Sequence, residues 1–270
     1  MQPCVFINLA SAEARRRSLE ASFAAAAPAH WRLERYPALG PTDVAHLGGS
    51  LSGPEKACFA SHRAVLEAHL ETDENLLIVE DDVEFSPQGF PVLDQMLASQ
   101  DWDVLFTDVA LCDLSLMVHL ARRRDSMLAG GGFAVVNLAG RSFFGSSAYV
   151  VRGSAKRRLH AALAEPGQLD QPYDLFLRDL CSQGALKFGA CFPFLTTIAA
   201  HADQSQIQPQ GDDVFDRVMN VYRRLMYMDR DLPECRRDVA GLRDAYCDEA
   251  SMMVGTIFAA LVSPGFPLDR

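Results

Sequence analysis

The sequence predicts an α/β fold, a central sheet covered by helices on both faces, with a helical segment at its C-terminal end. Three observations predict it. Short apolar runs such as "CVFINL" and "NLLIV" alternate with amphipathic or alanine-rich segments, the pattern of strands buried on both faces. A helix with a full set of start signals lies between two such runs. Beyond residue 207 the alternation stops and helical periodicity takes over.

The elements follow in order. "CVFINL" is the first strand, and Ala12 to Ala27 is the next helix, with Leu19 and Phe23 four residues apart and Arg15, Arg16 and Arg17 near its start. "WRLERYPAL" is a second strand, followed by a loop containing glycine and proline. Ser52 and Glu55 have capping-box spacing, with Pro54 in the first turn, so a helix begins at Ser52. "NLLIV" is a buried strand that ends in three consecutive carboxylates, Glu80, Asp81 and Asp82. "DVLFTDV" is a further strand and Leu114 to Arg124 a helix. Glycine-punctuated strand and loop material runs from Ala129 to Gly153, and Pro172 begins a helix that reaches Cys181. Near the end, Val214, Phe215, Val218, Val221, Tyr222, Leu225 and Met226 share one helical stripe, opposite Arg217, Arg223 and Arg224. With no internal repeat and no low-complexity linker, the organisation expected is an α/β catalytic domain over 1–207 and a helical extension over 208–270 packed on the same domain.

Composition narrows the partners. The chain has 270 residues, 49% of them hydrophobic, and a formal charge of −10, with 25 Lys and Arg against 35 Asp and Glu. An acidic balance of that size weighs against nucleic acid as a partner. Seven cysteines without a C-x-x-C pair argue against a disulfide framework and against a thiolate zinc site. "MQPCVFINLA" lacks the features of a signal peptide, and "MMVGTIFAALV" falls short of the ~20 residues a bilayer span requires. A cytoplasmic protein is expected. The stripe from Val214 to Met228 offers a way to touch the inner membrane face, with core packing or self-association as its other uses.

The acidic run carries the chemistry. In open α/β sheets ligands bind outside the carboxyl ends of strands, where Glu80, Asp81 and Asp82 fall. Hard divalent cations such as magnesium and manganese favour oxygen ligands and keep open positions for substrate phosphates. Strand alternation puts Glu80 and Asp82 on one side and Asp81 on the other unless the backbone turns. A solvated strand end is the plain alternative. A receiver-like phosphorylation switch with Asp108 as acceptor is a third, and spacing argues against it, because Asp82 and Asp108 leave room for only one short helix.

Several separated motifs resemble glycosyltransferase family 25, the lipooligosaccharide-type galactosyltransferases. They are "FINL" with the following arginines, "PEKACFASHRAV" at Glu55, Cys58, Ser61 and His62, and "LLIVEDDVEF". Fainter echoes are "GSSAYVV", "QPYDLFL" around Asp174 and "HADQSQI" around Gln204 and Ser205. The motifs keep family order over about residues 4 to 207. Ala10 stands where the family has an acidic residue, and Pro54 where it has glycine.

The resemblance implies a GT-A-like, Rossmann-like nucleotide-sugar-binding fold and an inverting transfer of a hexose. Galactose from UDP-galactose to a cell-envelope glycan such as lipopolysaccharide is the leading form. It implies Mn2+ or Mg2+ at Glu80 and Asp82, with His201 as a further ligand, because imidazole binds manganese beside carboxylates. It implies that Asn8, Leu9, Arg16, Glu55, Ser61, His62, Gln204 and Ser205 line the substrates, Arg16 standing for the cluster that meets nucleotide phosphates. Asp81 is a second catalytic candidate that orients sugar or ribose hydroxyls. Asp174 is either the general base or a carboxylate favourable to its helix dipole. A degenerate nucleotide- or glycan-binding module is the alternative function.

Overall fold

A computed structural model describes residues 1–99, 101–199, 214–242 and 249–263. The chain enters as β1 (Gln2–Asn8), α1 (Glu13–Ala26), β2 (Trp31–Pro37), α2 (Gly53–Ala68), β3 (Leu76–Glu80) and β4 (Val83–Phe85). It continues through α3 (Gly89–Ser99), β5 (Val104–Phe106), β6 (Ala110–Leu111), α4 (Leu114–Ala129), β7 (Ala134–Asn137), β8 (Phe143–Phe144) and β9 (Ala148–Val151). After α5 (Lys156–Ala164) and α6 (Tyr173–Gln183) come β10 (Phe188–Phe192), β11 (Thr196–Ile198), α7 (Val214–Met226), α8 (Leu232–Leu242) and α9 (Glu249–Leu261).

Seven strands form one mixed sheet in the order β2-β1-β3-β9-β5-β10-β7. β1 pairs in parallel with β2 and β3, and β10 with β5, while β9 runs antiparallel between β3 and β5. The carboxyl ends of β1, β3 and β5 therefore lie along one edge. The reversed β9 brings the residues before it to that same edge.

Side-chain alternation divides the core between the two faces. Val5, Ile7, Leu76 and Ile78 face a cluster completed by α2, α4, α5, α6, α7 and α9. Cys4, Phe6, Leu77 and Val79 face a second cluster that includes Leu19 and Phe23 of α1 and Phe90 and Leu93 of α3. Burial on both faces is why these strands read as continuous apolar runs.

The local signals act as expected at α2. Ser52 and Glu55 form a reciprocal capping box, with the Ser52 amide donating to Glu55 Oε2 at 2.8 Å and Pro54 in the first turn. A cap of this kind contributes about 1 kcal/mol.

Of the uses expected for the stripe on α7, the structure shows core packing. Val218, Val221, Tyr222, Leu225 and Met226 are buried against the sheet and α9, with Tyr222 stacked on Phe258 at 5.6 Å. That face is occupied by the core and is not offered to a membrane or a second copy. Arg223 and Arg224, expected on the solvated side, are also buried, because each meets a carboxylate: Asp108 for Arg223 and Asp238 for Arg224. Among the described residues no helix is long and apolar enough to cross a membrane.

Candidate active site

The site is built where β3 ends. Glu80 is its last residue, Asp81 and Asp82 form the turn, and β4 follows, paired with β11. The turn separates the three carboxylates into two environments.

Asp81 is 8% exposed and points toward the end of β1. Asn8 donates to its Oδ2 at 2.7 Å and Arg15 to its Oδ1 at 3.1 Å. Asn8 is itself fully engaged, donating also to the Ala12 carbonyl at 3.2 Å and accepting from Arg35 at 2.9 Å. In the structure Asn8, expected as a substrate contact, holds Asp81 in place. Both Asp81 oxygens accept hydrogen bonds, which fixes the orientation of its side chain.

Glu80 and Asp82 share the other environment. Glu80 Oε1 accepts from Ser146 Oγ at 3.4 Å and stands 3.5 Å from His62 Nε2, a contact outside hydrogen-bond geometry. Burial works against its charge, but His62, Arg223 and Ser146 outweigh it and hold the carboxyl below its usual range. Asp82 responds in the opposite sense. Burial and the neighbouring charge of Glu80 push its carboxyl up to about 7, against the pull of Arg15, whose nearest nitrogen is 3.7 Å away. Asp82 Oδ1 is buried and accepts no hydrogen bond among the described residues. Two neighbouring carboxyl groups at a strand end could hold a hard cation.

The reversed strand β9 completes the wall. Ser147 accepts the Glu80 amide through its carbonyl at 2.8 Å, which fixes the loop before β9 against the end of β3. Gly145 has φ +84, a conformation that favours glycine, and its amide donates to Asp174 Oδ2 at 2.8 Å. Asp174 lies in the first turn of α6 and is partly exposed. His62, on α2, is clamped beneath Glu80, with Nδ1 2.9 Å from the Tyr149 hydroxyl and its ring stacked on Tyr173 at 4.3 Å.

Under this layer lies a buried ion pair. Arg223 Nε donates to Asp108 Oδ2 at 2.8 Å, Thr196 donates to Oδ1 at 2.9 Å, and Arg223 also reaches the Ser147 hydroxyl. Asp108 is wholly buried. A phosphodonor cannot reach it, which removes the receiver-like alternative.

The remaining expected residues separate into two groups. Arg16 pairs with Glu20 on the surface at 2.7 Å, and Arg15 is the arginine that reaches the acidic turn. Arg15 precedes Leu19 and Phe23 at helical spacing on the buried face of α1, and that register is the signal that distinguishes it. Ser61 is used within the fold, donating to the Ala57 carbonyl at 2.7 Å and accepting from the Leu39 amide at 2.9 Å. Glu55 closes the cap of α2, and the Leu9 carbonyl accepts the Ala12 amide at 3.0 Å. His201, Gln204 and Ser205 lie outside the described residues. Ser146 and Tyr149 lie in the "GSSAYVV" echo and Tyr173 in "QPYDLFL" without having been singled out there, and Arg223 had no local signal that marked it for the site.

Comparisons with known proteins were informative to different degrees. No curated protein matches the sequence. The solved structure of the galactosyltransferase LgtC in complex with donor and acceptor sugar analogues is similar over 69% of this chain and 73% of its own. Identity there is 14% and the TM-score 0.38, too low for the likeness to bear on the site. The family match is extensive. Residues 1–176, from β1 past the acidic turn to Asp174, match glycosyltransferase family 25, described as LPS biosynthesis proteins. With the strand-end carboxylates, the α2 block and Asp174 all inside the matched segment, the chain belongs to glycosyltransferase family 25 and is a glycosyltransferase of the LPS biosynthesis type.

Proposed function

We propose that the chain transfers a hexose, galactose in its leading form, from a UDP-sugar to a hydroxyl of a lipopolysaccharide-type glycan, with inversion at the anomeric carbon and with the help of Mn2+ or Mg2+. The observation that carries the reading is Asp82 Oδ1, buried and unpartnered among the described residues while its carboxyl faces Glu80. Glu80 and Asp82 would hold the cation. A divalent cation there supplies neutralisation of the diphosphate leaving group.

The residues of the chain supply the rest. Asn8 and Arg15 hold Asp81 in place at the end of β1, where it would orient sugar or ribose hydroxyls. Asp174 is the general base: each of its oxygens takes one amide bond, from Gly145 and Leu175, and keeps a further lone pair for the acceptor hydroxyl. The order of events is displacement at the anomeric carbon by that hydroxyl as Asp174 removes its proton. Residues 1–207 form the catalytic unit in this reading and 208–270 its extension, with α7, α8 and α9 packed on the same core. The GT-A-like description of the fold belongs to the same proposal, as does a site of action in the cytoplasm.

The experiment is turnover of UDP-hexoses with a lipopolysaccharide acceptor by wild type and Asp174→Asn. Loss of a general base lowers kcat by about 10²–10⁴-fold, with UDP binding retained. Wild-type protein that binds UDP but turns over no nucleotide sugar would favour the alternative, a non-catalytic binding module. An Asp174→Asn variant at full rate would move the base elsewhere.

A further inference from the structure

We propose that Cys58, His62 and Glu80 form a second cation site, suited to a borderline-soft divalent ion such as zinc and separate in its chemistry from the all-oxygen pair of Glu80 and Asp82. Cys58 and His62 are four residues apart on α2, so their side chains share one face of the helix. Glu80 closes the triangle from the end of β3. One ligand atom from each, the Cys58 thiol sulfur, a His62 nitrogen and a Glu80 carboxylate oxygen, lies within 4.8 Å of the others.

The imidazole carries the strongest evidence. His62 is 1% exposed, and its Nε2 is buried with no hydrogen-bond partner among the described residues. A buried ring nitrogen without a partner is costly, and this one stands 3.5 Å from Glu80 Oε1. The far side of the ring is prepared for ligation: Nδ1 faces the Tyr149 hydroxyl at 2.9 Å, that hydroxyl meets Tyr173 at 2.6 Å, and the ring stacks on Tyr173 with planes 10° apart. A metal takes His62 as the neutral ring: the tautomer with its proton on Nδ1, donated to the Tyr149 hydroxyl, leaves a lone pair on Nε2, and the ring is held by the kind of outer contacts that orient metal-bound histidines. Two ligands each about 2.0–2.1 Å from a tetrahedral zinc stand about 3.4 Å apart, close to the separation of Nε2 and Oε1. Three protein ligands leave a fourth position open.

The charge around the triangle favours a cation. Burial, and after it the charges of Glu80, Asp174, Glu55 and Asp82, push the Cys58 thiol up, and those same carboxylates draw in a cation whose own charge offsets that push once bound. Binding forms the metal–sulfur bond as the thiol proton leaves to solvent, so the site gains an ion of charge two and releases one proton. Because Glu80 belongs to both sets, zinc here withdraws a ligand from the hard cation. That consequence, unlike the site itself, rests on the reading of Glu80 and Asp82 given above.

The probe is Co2+ added to metal-free full-length protein, followed by zinc. The expected spectrum has a near-ultraviolet thiolate-to-cobalt band and intense tetrahedral bands in the visible, displaced by one equivalent of zinc. The thiolate band should vanish in Cys58→Ser, weaken at least tenfold in apparent affinity in His62→Gln, and survive Asp82→Asn. Survival in Asp82→Asn separates this site from the all-oxygen one, whose loss would leave the band intact. Zinc X-ray absorption on wild type checks ligation without any variant and should show one sulfur at about 2.3 Å with lighter atoms near 2.0 Å. An octahedral cobalt spectrum without a thiolate band, a band that persists in Cys58→Ser, or an all-oxygen zinc shell would overturn the proposal.

Discussion

At the scale of single residues, the chemistry depends on how three neighbouring carboxylates are kept apart. Asp81 is held by Asn8 and Arg15, Glu80 is favoured as an anion, and Asp82 is pushed up to about 7 by burial and by Glu80. The sign of the pH effect follows. A carboxyl raised in the folded state binds a proton that the unfolded chain has already lost, so its penalty is absent at low pH and grows as pH rises from its ordinary range near 4 through 7. At most about 4 kcal/mol is involved, from about three decades of pKa at 1.36 kcal/mol each. In chelator, Asp82→Asn should therefore unfold at a higher denaturant concentration than wild type at pH 8 and at nearly the same concentration at pH 4.5. An equal difference at both pH values would remove Asp82 as the source.

At the scale of elements, the reversed strand β9 and the helix α7 turn a strand end into an enclosed site. β9 delivers Ser146 and Ser147 to Glu80, and α7 delivers Arg223 to Asp108. Removing one partner of a buried ion pair leaves an uncompensated charge, so Arg223→Ala should cost about 3–5 kcal/mol in chemical denaturation. Arg223→Ala combined with Asp108→Asn should recover part of that loss, and a double variant no better than the single one would show that the pair is not the cause. The strands and helices up to α2, and the strand that ends in Glu80, were legible because burial on both faces, helical spacing and a capping box are local patterns. The direction of β9 was not legible, since strand polarity depends on which partner a glycine-punctuated segment meets. Arg223 was read as solvated for a similar reason: charge suggests exposure unless its partner is known, and Asp108 lies 115 positions away.

At the scale of the whole molecule, the C-terminal helices and the sheet share one core. Val218, Tyr222, Leu225 and Phe258 belong to the same cluster as Phe106, Tyr149 and Phe192. A chain ended at residue 207 would uncover that cluster and leave Asp108 without Arg223. We expect such a truncation to be rapidly proteolysed and to lack a cooperative thermal transition, whereas a cooperatively folded, protease-resistant 1–207 fragment would make the extension an independent addition. The family match stops at residue 176, before α7. The sequence resemblance was thus informative about the acidic turn and α2, and silent about the helix that closes the site from below.

The central claim is that Glu80 and Asp82 hold a divalent cation for a nucleotide sugar, and isothermal titration of UDP tests it most directly. Wild-type protein is titrated with manganese and again in chelator, and the pair is repeated on Asp82→Asn. The expected result is UDP binding that requires manganese and weakens about a hundredfold, about 2.7 kcal/mol, in the variant. Equal UDP affinity in chelator and in manganese, or an Asp82→Asn variant that binds as wild type does, would contradict it.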